Sequence, residues 1–220
     1  MTNAARKLAV SGAVRPYLIP KHGFYANGMP ELPLAARVRS FLLEVALRVR
    51  LAVLGLVRGI RGTGVFGVGR LFASVIRADG SIEHLGLIST RLVTDAGVAF
   101  LVDDWDNSGT DFSTMNYHGC GTGTNAENAT DTALQTESTT ALNPDSTRAT
   151  GTRSQPAANQ YRTVGTLTFD ASAAVTEHGI FSQSATGGGT LWDRSQFSAI
   201  NVASGDSIQF TYTCTVSSGG

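Results

Sequence analysis

The sequence predicts a mainly β protein: an antiparallel β-sandwich or jelly-roll body with an N-terminal extended arm and one amphipathic helix. Three observations predict it. Charged residues make up only 15% of the 220-residue chain while 42% is hydrophobic. The polar surface must then come from Ser, Thr, Asn and Gly, which suit turns and strand faces better than surface helices. From residue 71 onward, apolar positions recur with a period of two and are punctuated by Gly and Asp turns. No helical spacers separate these strands, which argues for antiparallel pairing in two packed layers. Ordinary apolar content at zero net charge excludes wholesale disorder.

The zero net charge hides a split. Residues 1–77 carry 12 Lys and Arg against Glu31 and Glu44, a balance of +10; residues 78–220 carry five Arg against 15 acids, a balance of −10. The two segments therefore expect different surroundings. A basic arm of this kind fits nucleic acid, an anionic surface or an acidic protein face, including that of a neighbouring copy.

Residues 1–33 contain Gly12, Pro16, Pro20, Gly23, Gly28, Pro30 and Pro33. Breakers at that frequency predict an extended arm. Residues 34–61 predict a basic amphipathic helix. Leu34, Val38, Phe41, Leu42, Val45, Val49, Ala52, Val53, Leu56 and Ile60 fall inside an arc of about 120° at helical pitch. Arg37 and Arg48 flank it on one side, Arg39 and Arg50 on the other. Pro33 suits the first turn and Gly62 the stop. The stripe fits packing on its own domain or a sister copy, a membrane surface or, least well, nucleic acid, because Phe41 is its only aromatic. Residues 62–70 are glycine-rich and predict a linker. Their G-x-G fragments follow a helix and precede a strand, the reverse of a dinucleotide loop.

In the body, residues 71–77 read as a strand, Asp79-Gly80 as a hairpin turn and 82–94 as the return strand. Asp95-Ala96-Gly97 reads as a second turn, 98–102 as a third strand and 103–114 as an acidic loop. Residues 115–120 form a short strand. Residues 121–155, rich in Thr, Asn, Ala and Ser, show no core-forming pattern and read as a long surface loop. Strands follow at 161–169, 174–181, 191–197, 200–202 and 207–217. The last sets Ile208, Phe210, Tyr212, Cys214 and Val216 on one face.

Chemical motifs are weak. No G-x-S-x-G elbow occurs. His118-x-Cys120 with His178 matches no structural-zinc spacing, and His178 reads as orienting a strand end beside Glu177. Asp104-x-Asp106-x-Ser108-Gly109 resembles the start of a calcium loop, but Met115 stands where the bidentate acid belongs. A weak site from Asp103, Asp104, Asp106 and Asp111 stays open beside a plain solvated acidic loop. Cys120 and Cys214 read as semi-buried thiols, with a single bridge left open. No catalytic, cofactor or metal residues are expected. The run 51–57 is the longest uncharged apolar stretch, far short of the ~20 residues that span a bilayer. The first ten residues lack a secretory pattern.

Three strings in the body carry a resemblance. The first is Leu85-Gly86-Leu87-Ile88-Ser89-Thr90-Arg91 with Thr94-Asp95-Ala96-Gly97-Val98. The second is His118-Gly119-Cys120-Gly121-Thr122-Gly123-Thr124 with Asp131-Thr132-Ala133-Leu134. The third is Tyr161-Arg162-Thr163-Val164-Gly165-Thr166 with Thr176-Glu177-His178-Gly179-Ile180-Phe181 and Asp193-Arg194-Ser195. Over residues 70–220 the chain resembles a family of virion structural proteins of tailed bacteriophages. It departs from the pattern at Cys120, where an apolar or aromatic residue is expected.

The resemblance implies a virion component without enzymatic activity, made in the host cytoplasm. A capsid decoration or cement protein is the leading expectation. The alternatives are a tail, fibre or baseplate part, or a receptor- or carbohydrate-binding module using the loop 121–155 and Trp105 or Trp192. The expected partners are copies of itself in a homotrimer and the major capsid protein or another virion protein, with neither specific nucleic acid nor membrane. The expected anchor is the helix, through Arg37, Val38, Phe41, Leu42, Val45, Arg48, Val49, Leu56 and Ile60.

Overall fold

The computed structural model describes residues 32–58, 65–107 and 109–218. The expected arm 1–33 therefore lies almost wholly outside the described residues. Helix α1 (Leu34–Arg58) comes first. β1 (Val65–Ile76) and β2 (Ile82–Leu92) then form the expected hairpin. At its tip Gly80 takes a φ of 83° and Asp79 Oδ1 accepts the Ser81 N–H. Helix α2 (Asp95–Trp105) follows, then a short 3-10 turn at Phe112–Thr114 and β3 (Tyr117–Gly121). β4 (Ala149–Thr150), β5 (Thr152–Ala157), β6 (Gln160–Thr168), β7 (Ala173–Phe181), β8 (Leu191–Val202) and β9 (Ser207–Ser218) complete the chain.

The strands make two antiparallel sheets. One has the order β2-β1-β9-β6-β5 and the other β4-β3-β7-β8. The protein is thus mainly β and built as a sandwich, as the period-two pattern predicts. β9 is the centre of the larger sheet, paired with β1 along its length and with β6 from Gln160 to Thr168. Ile208, Phe210, Tyr212 and Cys214 point into the core, while Val216 is exposed. Facing them are Cys120, Val175, Ile180, Trp192, Phe197, Ile200 and Val202 from the smaller sheet. Each fully buried large side chain stabilises by roughly 1.5–3 kcal/mol relative to exposure.

The structure corrects four expectations about the elements. Residues 98–102 are helix, not strand: Thr94 caps α2 by accepting the Gly97 N–H, and Asp95 sits in the first turn, where the helix dipole favours it. Of the expected 62–70 linker, residues from Val65 onward belong to β1. Gly69 serves close approach, because a Cβ there would run into Asp193 and Tyr212. The strands expected at 191–197 and 200–202 are one strand, β8. The loop 121–155 is not a free excursion: it contains β4 and most of β5, and its remainder packs on the outer face of the smaller sheet.

Candidate interaction surface

Helix α1 is held on the body by a polar face. It lies against β2, an edge strand of the larger sheet. Ser40 Oγ accepts the Leu87 N–H at 3.0 Å and donates to the Ala36 carbonyl. Covering a sheet edge in this way removes an aggregation-prone row of backbone groups. Glu44 is buried and takes a two-pronged ion pair from Arg70 of β1, at 2.7 and 3.4 Å. Leu47 completes the buried face. Residues 40, 44 and 47 cluster on one side of a 3.6-residue turn.

The apolar stripe lies nearly opposite. Leu34, Leu42, Val45 and Val49 are 40–66% exposed, while Val38 and Phe41 are half-buried. Arg37 is half-buried. The side chains of Arg48 and Leu56 lie outside the described residues, as does Ile60 altogether. Leu34, Ala35, Val38, Arg39, Leu42 and Leu43 line a shallow apolar groove along the helix. Burial among these groups pulls the Arg39 guanidinium below its ordinary pKa. Among the described residues Arg39 has no carboxylate partner. Of the expected anchor residues whose side chains are described, Leu42, Val45 and Val49 are exposed, while Arg37, Val38 and Phe41 are half-buried. No described helix is long and apolar enough to cross a membrane.

A second outward stripe was missed by the reading of 98–102 as a strand. Val98, Val102 and Trp105 of α2 are 49–68% exposed. Their i, i+4, i+7 spacing is the signal that could have found them. The opposite side of α2 packs Phe100 and Leu101 on the core. Exposed Asp95 and Asp106 border the stripe. The calcium-like run serves as local caps instead. Asp104 Oδ1 accepts the Phe112 N–H and Asp111 Oδ1 accepts the Ser113 N–H. Trp192 is buried, donating its indole N–H to Tyr212 at 2.9 Å, so it is no surface contact for a glycan. Trp105 remains one.

The loop after β3 is fastened to the smaller sheet by charge. Glu177 is fully buried and accepts the backbone N–H groups of Gly123, Gln135 and Thr136. Arg194 donates to Glu177, to Asp131 at 2.9 Å and to Asn125. Arg148 forks onto Glu137 at 2.6 and 3.0 Å, donates to the Gln183 and Gly188 carbonyls, and stacks on Phe181. Leu134, Phe181 and Leu191 form a small apolar cluster beneath. The alternation Gly119, Gly121, Gly123 now has a cause. A Cβ at these positions would strike Glu137, the Thr136 carbonyl or Glu177. The string quoted for the resemblance is therefore the seat of this loop.

On the inner face, β3 and β7 bring His118, Cys120 and His178 together. His118 Nδ1 lies 3.0 Å from His178 Nε2, and His118 Nε2 lies 3.1 Å from Thr163 Oγ1. His178 Nδ1 has no partner. The arrangement is best satisfied when His178 donates to His118 and His118 donates to Thr163. The orphan atom is then a lone pair and not a stranded N–H, which costs less. Burial drives the His118 pKa down to about 3; burial and the neighbouring His118 drive His178 well below its ordinary value. His178 is thus a core residue and not a strand-end orienter. Cys120 and Cys214 are free buried thiols, both pushed up to about 12 by burial. Among the described residues no cluster of three or more His, Cys, Asp or Glu could cage a metal.

The fold and surfaces define a two-sheet antiparallel sandwich with one face sheathed by a charge-stapled loop and two helices showing apolar stripes to the outside. Comparison with protein-family models, curated proteins and solved structures finds no match.

Proposed function

We propose that this chain is a structural subunit of a tailed-phage particle, a capsid decoration or cement protein docked through helix α1 and assembled as a homotrimer. One observation carries the reading: α1 is pinned to its body by Glu44 and Ser40 while Leu34, Leu42, Val45 and Val49 face outward. A helix that spends its polar face on its own body and turns leucines to water is built for a second surface. The resemblance of residues 70–220 to virion structural proteins supports the same class. The basic character of residues 1–77 fits an acidic docking face on the major capsid protein or another virion protein.

Quantitative mass spectrometry of purified particles tests this reading. About one copy per major shell subunit supports a decoration protein. A ratio in the low hundredths moves it to the tail, fibre or baseplate, where exposed Trp105 becomes the first residue to test for receptor or glycan contact. Absence from purified particles overturns the reading.

A further inference from the structure

We propose that the outward stripe of α1 docks on the outward stripe of α2 in a neighbouring copy of this chain, so that copies join head to tail. The inference rests on the reading of α1 as a docking helix: it gives the apolar stripe to a neighbouring copy and leaves the basic remainder of residues 1–77 to the shell.

The two stripes are complementary in charge as well as apolar. The α1 stripe, Leu34, Leu42, Val45 and Val49, runs beside Arg39, a half-buried cation with no carboxylate partner among the described residues. The helix itself contains a single acid, Glu44, which Arg70 already occupies. Two α1 stripes laid face to face would therefore set Arg against Arg, which disfavours a contact through α1 alone. The α2 stripe, Val98, Val102 and Trp105, has the opposite border, with exposed Asp95 and Asp106 beside it. A Trp and an Arg are also the residue types that most often carry binding energy in the centre of an interface. Joining α1 of one copy to α2 of the next covers both stripes and pairs Arg39 with a carboxylate. Such a contact is heterologous: repeated by rotation it closes a ring, and the homotrimer proposed above is a ring of three.

The experiment uses the full-length chain and three proteins: wild type, Leu42→Gln/Val45→Gln on α1, and Val102→Gln/Trp105→Gln on α2. Each is followed by sedimentation velocity alone and in equimolar mixture. The inference expects a wild-type oligomer and two variants weakened on the order of 100-fold, both monomeric at concentrations where wild type assembles. The mixture should form a dimer of twice the chain mass and nothing larger, because each pair retains one intact contact and two broken ends. Wild-type assembly should weaken as salt screens the Arg39 pairing. Its tryptophan emission should shift red on dilution as Trp105 is hydrated, with Trp192 staying buried.

Assembly that survives the α2 variant but fails in the α1 variant means that like helices pair, and overturns the inference. So does a mixture that stays monomeric. A wild-type chain that is monomeric throughout also overturns it, whatever then covers the stripes: residues 1–31, another virion protein or a lipid surface. If the α1 variant in that case still loses particle attachment, the particle-docking part of the proposed function stands, while its homotrimer falls together with this inference.

Discussion

The two sheets are covered by segments of opposite character. On the smaller sheet the cover is a loop with almost no regular structure, held by buried ion pairs through Glu177, Arg194, Asp131, Glu137 and Arg148. On the larger sheet the cover is a regular helix fastened through Glu44 and Ser40, with its apolar stripe turned away. The difference teaches that periodicity reports an apolar face but not what that face meets. A segment with no pattern can be fastened into the fold, and the segment with the strongest pattern can turn its apolar face away from the body.

The largest expected effect falls on the loop. Arg194→Ala strands Glu177, which is fully buried, and frees Asp131 and Asn125 together. Removing one partner of such a network costs about 3–5 kcal/mol, a fall in Tm on the order of 10 °C for a chain of this size. Thermal denaturation measures it. A loss under about 1 kcal/mol would mean that the loop is held by Leu134 and its neighbours instead of by charge, and the contrast between the two covers would collapse.

The next effect probes what lies beneath both covers. The unfolded chain protonates His118 and His178 below the ordinary value near 6.5, while folded His118 waits until about 3 and His178 is held down as well. Between those values the unfolded state binds more protons, so stability falls as pH drops below 6.5 and is flat in this respect above it. The expected slope is about 1.4 kcal/mol per pH unit for one imidazole and about 2.7 for two. Urea melts between pH 5 and 7 read it above the range where carboxylates titrate. A flat profile there would mean that water reaches the pair and that the sandwich interior is open.

Much of the fold was legible. The Asp79-Gly80 hairpin and the alternation of β9 are short-range signals that tertiary packing did not override. The α1 stripe was legible as an apolar face too. What it faced was not, because Ser40 and Glu44 look in sequence like an ordinary solvated side, and only their partners Leu87 and Arg70 reveal a buried contact. Helix α2 was hidden for a related reason. Val98 and Val102 favour strands by intrinsic preference, and the Thr94 cap with Asp95 won locally. The loop was illegible because its glue consists of charges separated by 11 to 63 positions, such as Arg148 with Glu137 and Arg194 with Glu177 and Asp131. The glycines of 62–70 and 119–123 look like flexibility in sequence and prove in part to be seats for neighbouring side chains.

A smaller effect sits on the helix mount. Glu44→Gln keeps the shape of the side chain and removes its charge. Arg70 is partly exposed and can turn to water, so the expected cost is about 1 kcal/mol. Chemical denaturation gives the value. A loss of 3 kcal/mol or more would make the mount as strong as the loop's fastening and erase the asymmetry between the covers.

The smallest expected effect is the sharpest test of the comparison. Leu42→Gln with Val49→Gln removes two large apolar side chains from the helix with the most regular apolar pattern in the chain. Were the stripe part of the core, that would cost several kcal/mol, as large-to-small and polar core changes do. Because Leu42 and Val49 stand 60% and 57% exposed, and Gln supports a helix about as well as Leu, the isolated chain should lose no more than about 0.5 kcal/mol. The measurement belongs at a concentration low enough to keep the chain monomeric, since any assembly through the stripe adds to apparent stability. A near-zero result there, joined to a clear loss of assembly at high concentration, separates a face kept for a partner from a face kept for the fold. A large loss at low concentration would mean that another part of the same chain already covers the stripe, and both covers would then belong to the fold alone.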